Sequence, residues 1–454
     1  MENLSTLLSS ATYAASIISS CVLRLTVVYF VRWLPLGPRF LPIINTSAVV
    51  YLSTLIIQVF EPRRSVTDRS KSRLATLLLG RYEPRSPIST FLTVLINILC
   101  LSVSVDFVYR GHVFYQSEQV TFSRVGYVDS TTARVVVRAP SAPTVQIEYR
   151  EEVASLWHQG SVISVNESSE FLVVNGIVKL SLPVRFGFDV SEYQTAYRKV
   201  YSSPSWSEEL KALPWLHTYD DHEITNDWAS NDTGLYLAAI PPWKSYQQSG
   251  NPTAFREGVN YYSFMKGDVS FFVLDTRRYR SEELMEDGVF KTMLGVEQLA
   301  DVLHWLETEK GLKVLVSSVP FTRNWRGPES IDNWAGYLVE RQMILEKMWK
   351  TEGVVVISGD RHEHATTKFQ APDGKSNVVE FSTSPLSQFY QPFDRQYRQD
   401  EETDVMIKYH PFGVSKFGVF NFDTSNATQW KVEFELVVDG VKEWEYVWTA
   451  ERRV

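Results

Sequence analysis

Apolar positions follow two patterns along the chain, and the change between them falls near residue 110. Phe40 to Phe60 (FLPIINTSAVVYLSTLIIQVF) runs 21 residues without a charge, enough to cross a hydrocarbon core of roughly 30 Å. Ile88 to Val105 is just long enough, with Asn97 as its most polar member. Ala11 to Val31 is a third such stretch, although its Arg24 costs a few kcal/mol near a bilayer centre unless it snorkels or finds a partner. Three such stretches leave too little polar sequence to cover them in water. The pattern therefore predicts a membrane region, 1–110, with about three transmembrane helices at 11–31, 40–60 and 88–105. A cleavable signal peptide fits less well, because no Lys or Arg precedes Arg24.

Beyond residue 118 the period shortens. RVGYVDSTTARVVVRAP, TVQIEYREEV, SVISV and FLVVNGIVKLSL alternate apolar and polar residues between turn signals, which predicts a small β-sandwich over 118–182. From 183 to 454 strands and helices alternate, as in a layered α/β domain. Helices are expected at Asp189 to Tyr201, Ser205 to Leu213 and Gly295 to Glu307. The last carries Val296, Leu299, Leu303 and Leu306 at helical spacing. Strands are expected at Pro214 to Tyr219, Val269 to Leu274, Val314 to Val319 and Val354 to Ile357, with further strands from Phe417 to Trp448 closing the domain.

Charge sharpens this division. The chain has 454 residues, 44% apolar, and a net charge of −8, more than one modal domain. Residues 1–110 hold 11 Lys/Arg against 5 Asp/Glu, whereas the rest holds 34 against 48. Arg63, Arg64, Arg69, Lys71, Arg73, Arg81 and Arg85 crowd the loop from Glu61 to Pro87. Positive loops stay cytoplasmic, so this multi-pass arrangement is expected to deliver the C-terminal domain to the lumenal or extracellular side. Sequons at Asn166, Asn231 and Asn426 suit that side. An acidic body without a basic run argues against nucleic-acid binding, and the two cysteines, Cys21 and Cys100, exclude a disulfide scaffold.

Three polar clusters end apolar strands, where chemistry gathers in α/β sheets. Asp220, Asp221, His222 and Glu223 form the first, followed within a turn by Asn226 and Asp227. Adjacent carboxylates repel, so where solvent is limited such a cluster calls for a cation. The plain alternative is a charged surface junction. Ser358 to His364 (SGDRHEH) repeats the logic, with Gly359 expected to permit a tight turn. The third, Asp275-Thr276-Arg277-Arg278, offers a guanidinium fork for phosphate oxygens or an ordinary ion pair. Phe321 to Tyr337 is polar and Trp-rich and reads as a substrate rim or a packed loop. No P-loop, G-x-S-x-G, C-x-x-C or H-E-x-x-H occurs, which leaves metal-assisted hydrolysis as the favoured chemistry.

LPWLHTYDDHEITNDW, VLDTRRYR, LGVEQLADVLHWL, DNWAGYLVERQ and VISGDRHEHA, in this order, resemble the PhoD-like (alkaline phosphatase D) metallophosphatases, particularly membrane-anchored fungal members. The likeness runs from about Phe122 to about Trp448. It implies a calcineurin-like metallophosphatase sandwich preceded by a β-domain, and hydrolysis of phosphoesters by a metal-activated water, with iron and calcium as the metal ions. Matched by position, Asp221, Asp360 and His362 are implied metal ligands and His222 a catalytic or phosphate-binding histidine. Asp220 and Asn226 are supporting ligands and Arg277 a partner for phosphate. The implied partners are a phosphoester substrate and, through the N-terminal helices, the lipid bilayer.

One part of the pattern is missing. The resemblance implies a Ser-Cys and a Gly-Asp-x-x-Tyr ahead of DDHE, which supply further metal ligands, but no Gly-Asp lies between Asn175 and Trp206 and no cysteine follows Cys100. The first strand-helix-strand unit of the catalytic sandwich is thus expected to be absent, with the chain joined near Lys179 to Pro183. Two functions follow: a membrane-anchored metal-dependent phosphatase, or a truncated, non-catalytic relative that binds phosphate or a partner.

Overall fold

The structure is a computed structural model that describes residues 2–32, 37–60, 73–129, 132–149, 158–164, 189–226, 228–229, 231–326, 328–374, 377–386, 397–399 and 403–452. The chain forms two compact units, Met1–Tyr115 and Gln116–Val454.

The first unit contains α1 (Glu2–Arg32), α2 (Gly37–Phe60), α3 (Arg73–Leu79) and α4 (Pro87–Phe114). The segments Leu7–Val31, Phe40–Phe60 and Pro87–Arg110 are long and apolar enough to cross a membrane. Their packing is inverted relative to a water-soluble bundle. Ile18, Leu25, Val49, Ile56, Phe91 and Leu99 are exposed, whereas Ser16, Ser19, Ser20, Thr54, Thr93 and Asn97 are buried. An apolar exterior around small polar residues is what lipid favours.

Arg24 finds the partners that its position requires. Its Nε donates to Asn97 Oδ1 at 2.7 Å, Nη1 to the Leu77 and Leu78 carbonyls at 2.7 and 3.1 Å, and Nη2 to Thr93 Oγ1 at 2.5 Å. The two carbonyls belong to the last turn of α3, which has no intrahelical donors for them. Gly80 continues the chain at φ 72°, and a Cβ there would lie 1.9 Å from Ser20 Oγ. Only glycine permits both the left-handed turn and this approach to α1.

The second unit opens with two antiparallel hairpins, β1 (Phe122–Val128) with β2 (Ala133–Arg138) and β3 (Thr144–Tyr149) with β4 (His158–Ser164). Among the described residues these are two separate two-stranded ladders, which do not by themselves establish the expected β-sandwich. The predicted strand FLVVNGIVKLSL and the junction near Lys179 lie outside the described residues.

Next come α5 (Val190–Tyr201), α6 (Glu208–Ala212) and α7 (Leu235–Tyr246), then β5 (Tyr262–Lys266), β6 (Val269–Val273), α8 (Gly295–Thr308), β7 (Leu312–Val316), α9 (Leu338–Lys350) and β8 (Val354–Ser358). The remaining strands are β9 (His364–Gln370), β10 (Asn377–Thr383), β11 (Asp404–His410), β12 (Lys416–Asp423), β13 (Gln429–Val438) and β14 (Val441–Glu451). A seven-stranded mixed sheet has the order β11-β9-β10-β8-β7-β6-β5, and β12-β13-β14 form a second, antiparallel sheet.

Strands β6, β7, β8 and β10 are parallel neighbours, and α8 and α9 are the crossovers between the first three. Side chains alternate across the large sheet. Val314, Val355 and Val379 face Trp430, Val432, Phe434 and Leu436 of β13. Leu315 and Val356 face Val302, Trp305, Ile344 and Leu345 of the two helices. The second unit is thus layered as helix, mixed sheet and antiparallel sheet.

Two local expectations change. Helix α8 buries Gln298, Asp301, Val302, Trp305 and Leu306, whereas Val296 is 85% exposed, so its inner face is rotated from the apolar stripe. Two polar residues turn inward because each has partners there. Gln298 bonds the Asp275 backbone in both directions, and Asp301 accepts from Arg256 and Tyr261. Pro214 to Tyr219 is extended but joins no sheet. At its centre the Asn251 side chain bonds His217 N and O at 2.8 and 2.7 Å, in place of a strand partner.

Candidate active site

The extended segment ending at Tyr219 is pinned beside the carboxyl end of β6. Thr218 Oγ1 donates to the Leu274 carbonyl, and Tyr219 OH bonds the Asp275 carboxylate, both at 2.8 Å. Asp275 also accepts from the backbone N–H groups of Arg277 and Arg278. It therefore shapes this strand end rather than facing the site.

Asp220, Asp221 and Asp360 meet at the carboxyl ends of β7 and β8. Each offers an oxygen, and the three atoms lie within 4.8 Å of one another. Burial pushes the Asp360 carboxyl up to about 8, helped by the negative charges of Asp220, Asp332 and Asp221. Its Oδ2 is buried with no hydrogen-bond partner. A buried carboxylate oxygen with like charges around it and no donor is the environment that a cation relieves. Oxygen donors of this kind suit a hard di- or trivalent ion.

His362 lines the same cavity, as does His222, whose Nδ1 lies 2.7 Å from Asp221 Oδ1. Asn226 is exposed and does not line it. In the SGDRHEH turn the left-handed residues are Asp360 (φ 72°) and His362 (φ 61°), not Gly359. A non-glycine residue rarely takes this conformation without support. Here the His362 N–H donates to Ser384 Oγ at 3.0 Å, and Lys416 Nζ donates to the His362 and Ser384 carbonyls at 2.8 and 2.9 Å.

Arg277 has no exposed surface. Its Nε donates to Asp220 Oδ1, Nη1 to the Trp228 carbonyl and Asp332 Oδ1, and Nη2 to Asp332 Oδ2. Burial opposes this charge, but Asp220 and Asp332 hold the guanidinium well above its usual value. Its fork is occupied by carboxylates of the protein, so in this structure it braces Asp220 from behind.

Sequence reasoning passed over several groups here. Ser318, at the end of β7, donates to Asp220 Oδ1 at 2.8 Å and shares a short hydrogen bond with Thr276. Asp332, within the Trp-rich segment, joins Arg277 to Arg280. Glu223 accepts from the Asp220 N–H at 2.9 Å, and burial raises its carboxyl to about 7. Glu223 stood in the Asp220–Glu223 cluster without a role of its own, and Asp332 carried a signal as an acid inside a segment already marked as a rim; Ser318 carried none. Asp220, Asp221, His222, Glu223, Ser318, Asp360 and His362 line a cavity of about 530 Å³, with Arg277 and Asp332 behind them.

A family model described as PhoD-like phosphatase matches residues 146–434, which takes in every strand and helix around this cavity. The chain belongs to the PhoD-like phosphatase family. It is 23% identical over 330 residues to alkaline phosphatase D of Bacillus subtilis (strain 168), an alignment covering 63% of this chain and 55% of that protein. The chain thus spans little more than half the length of that curated relative. Among solved structures, a purple acid phosphatase from yellow lupin (Lupinus luteus) seeds overlaps with a TM-score of 0.37 at 13% identity, over 57% of this chain and 43% of that one.

Proposed function

We propose that this PhoD-like protein is a membrane-anchored, metal-dependent phosphatase that hydrolyses phosphoesters, with a calcineurin-like arrangement of its layers. The observation that carries the reading is the meeting of Asp220, Asp221 and Asp360 at strand carboxyl ends. A di- or trivalent cation held there, iron or calcium by family resemblance, would neutralise phosphate oxygens and acidify the attacking water. His222, with Nδ1 engaged by Asp221, is positioned to manage a proton at Nε2 as the alcohol departs. His362 completes the site, and Arg277 fixes Asp220 rather than touching phosphate. The basic loop 61–87 holds that side in the cytoplasm, which puts the phosphatase unit in the lumen or outside the cell.

A second reading is favoured by one specific feature. With no cysteine after Cys100 and no Gly-Asp ahead of DDHE, the chain lacks part of the ligand set implied by the family. A site short of ligands loses affinity and geometry together. In that case the protein binds phosphate or a partner without turnover.

The full chain in lipid nanodiscs, stripped of metal and reloaded with iron, calcium or manganese, separates the two. Turnover of phosphomonoesters or diesters that falls at least 100-fold in His222→Ala and Asp360→Ala is expected from the first. A folded chain that takes up no metal and shows no turnover would establish the second.

A further inference from the structure

The cavity does not end at the acidic cluster. Val316, Ile357 and Phe381 line it from the large sheet, Phe420 from β12, and Ala196 and Val200 from α5. The first three share the sheet face of Val314, Val355 and Val379, so the apolar part is an extension of the layer between the two sheets. Side chains of β13 and β14 fill that layer deeper in, but here Val316, Ile357 and Phe420 are only partly covered. Tyr197, on the α5 wall, has a buried hydroxyl without a hydrogen-bond partner.

We infer that this extension is a subsite for the apolar alcohol part of a phosphoester, in a proposal that rests on the hydrolase reading. A phosphate held at Asp220, Asp221 and Asp360 must send its leaving group either to solvent or along the cavity. At about 530 Å³ the cavity is sized for a drug-like ligand rather than for inorganic phosphate alone. Val316, Ile357, Phe381, Phe420, Ala196 and Val200 give this wall a continuous apolar share, beside polar lining residues such as Gln247, Thr383 and Ser384, with the Tyr197 hydroxyl available to a single ester or ether oxygen. That apolar share suits an alkyl, acyl or aryl group. Because β12 is the edge of its sheet, an added apolar strand would compete for the same space, and the test includes that outcome.

The full chain in nanodiscs is assayed with n-alkyl phosphates from ethyl to octyl, with phenyl phosphate as the aryl arm. Burying a methylene contributes up to about fourfold in affinity, so kcat/KM is expected to rise two- to fourfold per methylene until the cavity is full. Ala196→Trp fills the cavity and is expected to flatten that dependence. Phe417 lines the cavity and is 41% exposed, so Phe417→Ser tests the subsite without burying a polar group and is expected to weaken the dependence. Titration with n-octylphosphonate, which cannot be hydrolysed, reads binding alone, and Ala196→Trp corrects for partition into the nanodisc lipid. Binding that tracks chain length without turnover keeps the subsite and sinks the hydrolase reading. Turnover indifferent to chain length sinks the subsite and keeps the hydrolase. No effect of chain length on binding, with Ala196→Trp more heat-stable than the parent, overturns the inference in favour of a core gap that a strand should cover.

Discussion

At the scale of single residues, the decisive interaction is the one between Arg277 and Asp220. Both are charged, Arg277 is fully buried, and each of its three nitrogens has an oxygen partner. Removing one member of a buried pair leaves the other uncompensated, at about 3–5 kcal/mol, so Arg277→Ala is expected to fold poorly and says little about function. Arg277→Lys keeps the charge but loses the planar fork that spans Asp220 and Asp332. We expect it to weaken cation binding by about 10- to 100-fold, as loss of a supporting partner does at other metal sites. Titration calorimetry with Mn²⁺ on the metal-free protein measures this without reference to turnover. Unchanged affinity would reduce Arg277 to a packing element.

Among the elements, α3 leans on its neighbours. It is only seven residues long, too short to be stable alone, and its Leu77 and Leu78 carbonyls accept from Arg24 of α1, with Thr93 of α4 also donating to Leu77. Hydrogen bonds between membrane helices average about 0.6 kcal/mol each, so in a bilayer the four described for Arg24 would contribute about 2 kcal/mol. Arg24→Leu is expected to speed amide exchange of residues 73–79 at least tenfold while leaving 40–60 unchanged; equal protection would show that α3 is held by other contacts. The same element shows where pattern reading stops. The long apolar spans, α5 and the crossover helix α8 were legible because their periods persist over many residues, whereas the second crossover helix, α9, went unread. Helix α3, hidden in a basic loop, was not. Nor was α7, in which Pro241 and Pro242 signal a break that burial of Ala239, Ile240, Trp243 and Tyr246 overrides. The carboxylates of the site were legible as clusters at strand ends. Arg277 was read with the wrong partner, because its engagement by Asp332, 55 positions away, leaves no trace in local sequence.

Across the whole second unit, two kinds of buried group oppose each other as pH changes, and a bound cation would decide which prevails. Burial, with Arg124 nearby, holds the His217 imidazole well below its usual value, and burial pushes His364 down to about 3. Both are therefore neutral in the fold, and their stabilisation is complete above about pH 6.5 and falls as pH drops below it. Asp360 and Glu223 are raised to about 8 and about 7, so without a cation their stabilisation is complete below about pH 4 and is lost progressively as pH rises from there through those values. The metal-free protein should then be most heat-stable on a plateau between about pH 4.5 and 6.5, where the two slopes oppose each other, with each group contributing on the order of 2 °C per pH unit on its limb. Loading the cation neutralises Asp360 without a proton and should lift the alkaline limb selectively. Tryptophan fluorescence is the suitable probe, since all 13 tryptophans except Trp33 lie in this unit. His217→Phe, which can keep the stacking on Trp215, is expected to flatten the acid limb alone. Asp360→Asn should flatten the alkaline limb alone, and chelation should lower the melting temperature of the loaded parent at pH 8 but not at pH 5. A chelator effect of equal size at both pH values would mean that proton and cation do not compete for Asp360.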